Sequence, residues 1–317
     1  MAYTDPQIMM TLAAITYAPA RDIASYLLPT TNPSNATNGE WALVWGPAVT
    51  AIDAGNLMFV TYNKSTNQYA IAVRGTYPHF GLALLVDLYE DLDVNHPRPW
   101  QYPTVPGALV ARGTIDGLDD LIRFTSNGVA FHTFVDSQIA SSGADIFVTG
   151  HSLGGALTTV LAPWLVHRLS QCNAKSTVMP YTYAGPTAGN AVFASFYTGL
   201  FKNSYRYYNA IDIVPKAWAD LLSIKSLYSA PGPACPWELK GVIDLVSDWL
   251  KTIKVSYTQP NGSGEILPGV PSFTTDFFAE ALDQHDHNYY LKLLGAPTVP
   301  IAAPRTRASS KKKLRNV

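Results

Sequence analysis

Apolar positions in this chain fall into short alternating runs up to about residue 75. From residue 117 onward they fall into helix-like and strand-like blocks that follow one another. Residues 5–18 and 22–28 read as two short N-terminal helices, and TTNPSNATNGE (30–40) as a loop rich in Asn, Pro and Gly. NLMFVTYN (56–63) and QYAIAVRG (68–75) are β-branched or aromatic runs flanking the polar turn KSTN, which predicts a hairpin. GLDDLIRFTSNGVAFHTFVDSQI (117–139) has apolar residues at helical spacing. DIFVTG (145–150) reads as a buried strand with a helix after it, and STVMPYTYAG (176–185) and SYRYYNA (204–210) as further strands. That alternation predicts an α/β fold whose mostly parallel central sheet is covered by helices on both faces. Pro163, inside the helix after residue 152, is expected to kink or shorten it.

No repeat and no linker-like stretch divides the chain, so the pattern predicts one domain over 1–304 and a basic tail at 305–317. The tail holds six of the 22 basic residues and no acid. Without it 16 basic residues face 23 acidic ones, which leaves the body at about −7. A basic end with no interleaved aromatics is a solvated tail rather than a nucleic-acid site. No apolar run approaches the roughly 18 residues of a membrane span. The N-terminus lacks the basic start and uncharged apolar stretch of a secretory signal, so the compartment stays open. Cys172 and Cys235 permit one disulfide or two free thiols and have no metal-binding spacing. The sequons at Asn35, Asn63 and Asn261 lie in polar segments where such tripeptides arise by chance.

The stretch DIFVTGHSLGGALTTVL (145–161) carries the chemistry. Gly150-His151-Ser152-Leu153-Gly154 fits G-x-S-x-G, placed where a strand turns into a helix. A nucleophile elbow needs that context: the turn strains the serine backbone, and small residues on either side avoid a clash. The helix start also aims free N–H groups at the site, with that of Leu153 next to the serine.

A serine hydroxyl needs a base to take its proton. In α/β-hydrolase sheets the order along the chain is serine, acid, histidine. Of seven histidines, that order removes His79, His96, His132 and His151, and His167 lies too early, in the helix after the serine. His285 and His287 remain, both in EALDQHDHNYYLKLL. For the acid, RYYNAIDIVPKAW places Asp212 in a loop beyond an aromatic strand, where such sheets carry chemistry. Asp220, Asp244 and Asp248 fall in segments that read as helical surface. A metal reading of Asp283, His285, Asp286 and His287 lacks further ligands at zinc spacing, so neither metal nor cofactor is expected.

GHSLGGAL, TYAGPTAGNAVFASF (182–196), NAIDIVPKA and a terminal H-x-x-Y together resemble the class 3 (fungal-type) triacylglycerol lipase family, from about Tyr69 to Leu293. The resemblance implies an α/β-hydrolase fold with a Ser152–Asp212–His287 triad. It prefers His287 over His285 because Tyr290 follows His287 by three residues. At AIAVRGT it implies that the backbone N–H of Thr76 joins that of Leu153 in an oxyanion hole. The matching segment of the family is a lid, which places one at 77–93. An apolar inner face there points to lipid esters at an oil–water interface. The implied activity is acylglycerol hydrolysis, with an esterase or phospholipase A1 of the same fold, or an inactive lipid-binding module, as alternatives. The resemblance also leans toward an exported protein. The interval 216–268 is longer than the family suggests and includes PWELKGVIDLVSDWLKTIK (236–254), read as an outer helix, with a second cap bearing on acyl-chain choice as the alternative.

Overall fold

The computed structural model of the chain describes residues 2–28, 35–50, 55–74, 92–202, 204–228, 232–260, 266–272 and 274–301. Helices α1 (Asp5–Ile15) and α2 (Ile23–Leu27) open the chain, followed by strands β1 (Ala42–Val49), β2 (Leu57–Asn63) and β3 (Gln68–Arg74). A hairpin of β4 (Arg98–Gln101) and β5 (Thr104–Val110) leads into α3 (Arg112–Arg123). The short β6 (Thr125–Ser126), β7 (Val129–Ala130) and α4 (Phe131–Phe134) come next. Strand β8 (Asp145–His151), helix α5 (Leu153–Gln171), β9 (Val178–Tyr183), α6 (Ala191–Leu200) and β10 (Tyr205–Asn209) form the centre. The chain then adds α7 (Trp237–Thr252), β11 (Ile266–Leu267), α8 (Phe277–His285) and α9 (His287–Leu293).

The main sheet has seven strands in the order β1-β2-β3-β8-β9-β10-β11. From β3 to β11 every pairing is parallel; β1 and β2 extend that sheet in antiparallel fashion. Period-two alternation sends successive side chains to opposite faces. Ile71, Val73, Ile146 and Val148 therefore point to the layer of Leu157, Leu161 and Trp164 from α5. Ala70, Ala72 and Phe147 face the layer of Met9, Met10, Leu12, Tyr290 and Leu291. The parallel strands are buried on both faces, which is why their sequences read as continuous apolar runs. A third cluster, including Leu153, Ile213, Val214 and Trp218 with the inner side of α7, lies beyond the ends of β8 and β10.

Three local expectations change. The continuous helix over 117–139 is broken at Asn127 and Gly128, whose φ values of 49° and 77° make the tight turn between β6 and β7. An Asn-Gly pair is the strongest short-range hairpin signal, and here it overrides helical spacing. Pro163 does not shorten α5, which runs 19 residues; burial on nearly every side through Leu165 holds it together. Strand β1 was hidden by Gly46 and Pro47, which sit within it on the edge of the sheet, where proline is tolerated.

The outer helix at 236–254 is observed as α7. Cys172 and Cys235 are free thiols. Asn35 and Asn63 are buried and use their side chains to cap turns, through Thr37 N–H and Ser65 N–H. Thr76, the sequon at Asn261, the tail 305–317 and all of the expected lid except residues 92 and 93 lie outside the described residues. Among those described, no helix is long and apolar enough to cross a membrane.

Candidate active site

Strand β8 ends at His151 and α5 begins at Leu153, so Ser152 occupies the corner alone, with φ 60° and ψ −131°. Such a backbone costs a non-glycine residue about 1–3 kcal/mol and persists only where its surroundings enforce it. Here the Ser152 N–H donates to the carbonyl of Tyr183 on β9 at 2.9 Å, and the Ser152 carbonyl accepts from Gly155 N–H at 2.8 Å. A Cβ on Gly150 would stand 2.3 Å from the Gly154 carbonyl oxygen and 2.8 Å from Thr158 Oγ1. Only glycine at 150 lets the first helical turn fold back this closely on the strand.

From the corner a line of hydrogen bonds runs into the protein. Ser152 Oγ lies 2.8 Å from His285 Nε2, and His285 Nδ1 lies 2.8 Å from Asp212 Oδ2. Ser152 and His285 are each 3% exposed and Asp212 is fully buried. Because Nδ1 faces a carboxylate, it carries the proton, and Nε2 is left to accept from the serine hydroxyl. Asp212 follows β10, with its Oδ1 accepting from Val214 N–H at 2.9 Å. Its Oδ2 accepts a second bond, from the Tyr290 hydroxyl at 2.8 Å. The same hydroxyl accepts from Asn209 N–H at 2.9 Å, and Asn209 Nδ2 donates to the Gln284 backbone and side-chain oxygens at 3.0 and 2.7 Å. The ends of β10 and α8 are thereby tied together around the carboxylate.

The histidine in this line is His285, not His287 as the resemblance implied. Asp286 is extended (φ −62°, ψ 132°) between α8 and α9, and this turns the two imidazoles in different directions. His285 at the end of α8 points at Ser152. His287 at the start of α9 stacks on Tyr17, with ring centroids 5.1 Å apart. The tyrosine of the H-x-x-Y motif does reach the site, since Tyr290 donates to the oxygen of Asp212 that also accepts from His285. His285 itself was one of the two histidines left by chain order, and no spacing rule separates it from His287.

Two further neighbours had no separate signal in the sequence. His151, the second residue of the G-x-S-x-G motif, is buried, and its ring centroid lies 4.8 Å from that of His285. Its Nδ1 is 2.9 Å from the Tyr17 hydroxyl, which comes from the segment after α1. Burial above all, and then the nearby imidazoles of His285 and His287, hold His151 well below the usual histidine range. Burial also lowers His287, against the opposing pull of Asp286. Burial followed by the Asp212 charge raises the Tyr290 hydroxyl far above the usual tyrosine range, so it remains a donor.

Leu153 is buried at the first position of α5, where its N–H has no acceptor within the helix. Among the described residues no three of His, Cys, Asp and Glu are grouped as a metal would require.

Comparison with known proteins places these features in context. The profile of Lipase (class 3) matches residues 87–221. Lipase ZK262.3 of Caenorhabditis elegans is 30% identical over 139 residues, which cover 44% of this chain and 30% of that protein. Phospholipase A1-Igamma2, chloroplastic, of Arabidopsis thaliana is 29% identical over 219 residues, covering 62% of this chain and 40% of that protein. The chain thus spans well under half the length of these two relatives. The crystal structure of M37 lipase is 27% identical, has a TM-score of 0.82, and covers 92% of this chain and 93% of its own.

Proposed function

We propose that this chain, which matches the class 3 lipase model over residues 87–221 and has the α/β-hydrolase fold, hydrolyses carboxylic esters of lipids with Ser152 as nucleophile. The observation that carries the reading is the buried, unbroken line from Ser152 Oγ through His285 to Asp212, at 2.8 Å in both steps.

Ser152 Oγ attacks the acyl carbonyl carbon while its proton passes to His285 Nε2. The resulting imidazolium keeps its Nδ1–H on Asp212, which stays ionised and, with Val214 N–H and the Tyr290 hydroxyl as further donors, fixes the ring. The carbonyl oxygen becomes an oxyanion facing the start of α5, where Leu153 N–H holds it. Thr76 N–H is the second donor in this proposal, and each such donor is worth about 3 kcal/mol of transition-state stabilisation. His285 then returns the proton to the departing alcohol oxygen as the ester C–O bond breaks. Water attacks the acyl-serine with His285 again as base, and the fatty acid leaves.

Acylglycerols are the proposed substrates. The family match, the relatives named lipases, and the apolar composition of 77–93 support that choice. Phospholipid is the second reading, because the chloroplastic phospholipase A1 matches over a larger share of this chain than the nematode lipase does. The test is hydrolysis of p-nitrophenyl esters from acetate to palmitate, with trioleoylglycerol and phosphatidylcholine in parallel and Ser152→Ala as control. Turnover of long-chain esters and trioleoylglycerol that vanishes in Ser152→Ala supports the proposal. Cleavage of phosphatidylcholine alone favours the phospholipase reading. Turnover confined to the shortest esters overturns a lipid substrate, and no turnover at all overturns the enzyme.

A further inference from the structure

Helix α7 is packed on one side only. Leu239, Ile243, Val246 and Leu250 enter the third apolar cluster, which also holds Leu153 beside the nucleophile. On the other side Trp237 is 79%, Leu245 72% and Trp249 48% exposed. These three, with exposed Gly241 between them, follow one another at multiples of four residues, and so lie along one side of the helix. Leu222, 50% exposed, adds apolar surface on the adjoining 3-10 turn, which is tied to α7 by the Lys225–Asp244 pair.

Three features narrow what this face meets. The acids of the helix, Glu238, Asp244 and Asp248, are matched in number by Lys240 and Lys251 of the same helix and by Lys225, which pairs with Asp244, so this side of the molecule has no net charge to offer an acidic or basic partner. Four side chains at these exposures present on the order of 500 Å², short of the about 800 Å² per partner of a stable protein interface. The two tryptophans have an apolar body and a polar N–H, which suits them to the boundary between water and lipid.

We propose that the outer face of α7 seats this protein on the surface of an uncharged or zwitterionic lipid aggregate. The inference rests on the lipid-ester reading for its purpose. The inner face of the same helix belongs to the apolar cluster that also holds Leu153, so α7 lies on the side of the molecule where the ends of β8 and β10 carry the site.

The test uses the full chain in a Ser152→Ala background, so that binding is read without lipid breakdown. Its probe is co-flotation with phosphatidylcholine vesicles. The comparison is with the same protein carrying Trp237→Ser, Leu245→Ser and Trp249→Ser, all exposed positions. The proposal expects the triple variant to lose at least about tenfold in vesicle partitioning. Adding anionic phosphatidylglycerol should leave the difference between the two proteins unchanged within about twofold, because both carry the same basic tail and the substitutions remove no charge. With Ser152 restored, the triple variant should hydrolyse soluble p-nitrophenyl acetate at the unaltered rate. Equal flotation of the two proteins, or no flotation of either, overturns the proposal. So does a dimer in sedimentation velocity that the three substitutions dissolve, since the face would then meet a second copy. Absent p-nitrophenyl acetate turnover would sink the hydrolase reading, while the flotation arm would still decide the surface.

Discussion

Replacing Tyr290 with phenylalanine removes one oxygen atom and leaves no cavity, so its effect isolates the hydrogen bonds of the carboxylate. The hydroxyl makes two of them inside a fully buried environment: it donates to Asp212 Oδ2 at 2.8 Å and accepts from Asn209 N–H at 2.9 Å. A bond to a charged acceptor is worth about 1.5–3 kcal/mol, and an orphaned buried N–H costs about 1–3 kcal/mol. Asp212 keeps Val214 N–H and His285, and Asn209 keeps its side-chain bonds to Gln284, so partial relaxation is available. The expected loss of folding stability is about 3 kcal/mol, measured by urea denaturation at neutral pH. Turnover should fall by about tenfold at unchanged KM, because the carboxylate orients His285 rather than touching substrate. A stability loss below about 1 kcal/mol, or a change confined to KM, would refute this account of Tyr290.

Gly150→Ala is expected to cost about 3 kcal/mol or more and to abolish turnover, since its methyl group would meet the backbone of Gly154 at 2.3 Å rather than a side chain that can move. Thermal unfolding and ester hydrolysis check it, and near-native values for both would mean that the elbow is less tightly packed than described. Acid should weaken the fold as pH falls through the ordinary histidine range. His151 and His287 are held below their ordinary value of 6.5, so as pH falls through 6.5 the unfolded chain takes up protons that the folded chain does not. Stability is therefore retained above that pH and lost below it, by up to about 1.4 kcal/mol per pH unit for each histidine. Urea titrations from about pH 7.5 to about pH 5 should show that slope. His151→Asn should reduce it, and a flat profile would contradict the burial of these rings.

The parts of the fold that could be read in the sequence were those where one pattern dominated. The β2–β3 hairpin, the strands β8, β9 and β10, and the amphipathic α7 each followed from period and boundary residues alone. Misreadings came where two signals competed. The Asn127-Gly128 turn interrupts a stretch with good helical spacing, and Gly46 with Pro47 disguises an edge strand. At the site, Ser152 and Asp212 were legible because strand ends and loop chemistry single them out. The choice of histidine was not. His285 and His287 flank one extended residue, and which imidazole meets Asp212 depends on the angle between α8 and α9, a property of tertiary packing. Tyr17, which lies 134 residues before His151 in the chain, was silent for the same reason.

The most direct test of the account compares His285→Ala with His287→Ala, both in the same ester-hydrolysis assay and both confirmed as folded by circular dichroism. If His285 is the base, its removal lowers kcat/KM by about four orders of magnitude. Removal of His287, which stacks on Tyr17, should then cost no more than about tenfold. A His287→Ala protein that is inactive beside a working His285→Ala protein would contradict the central claim and return the base to the histidine of the H-x-x-Y motif.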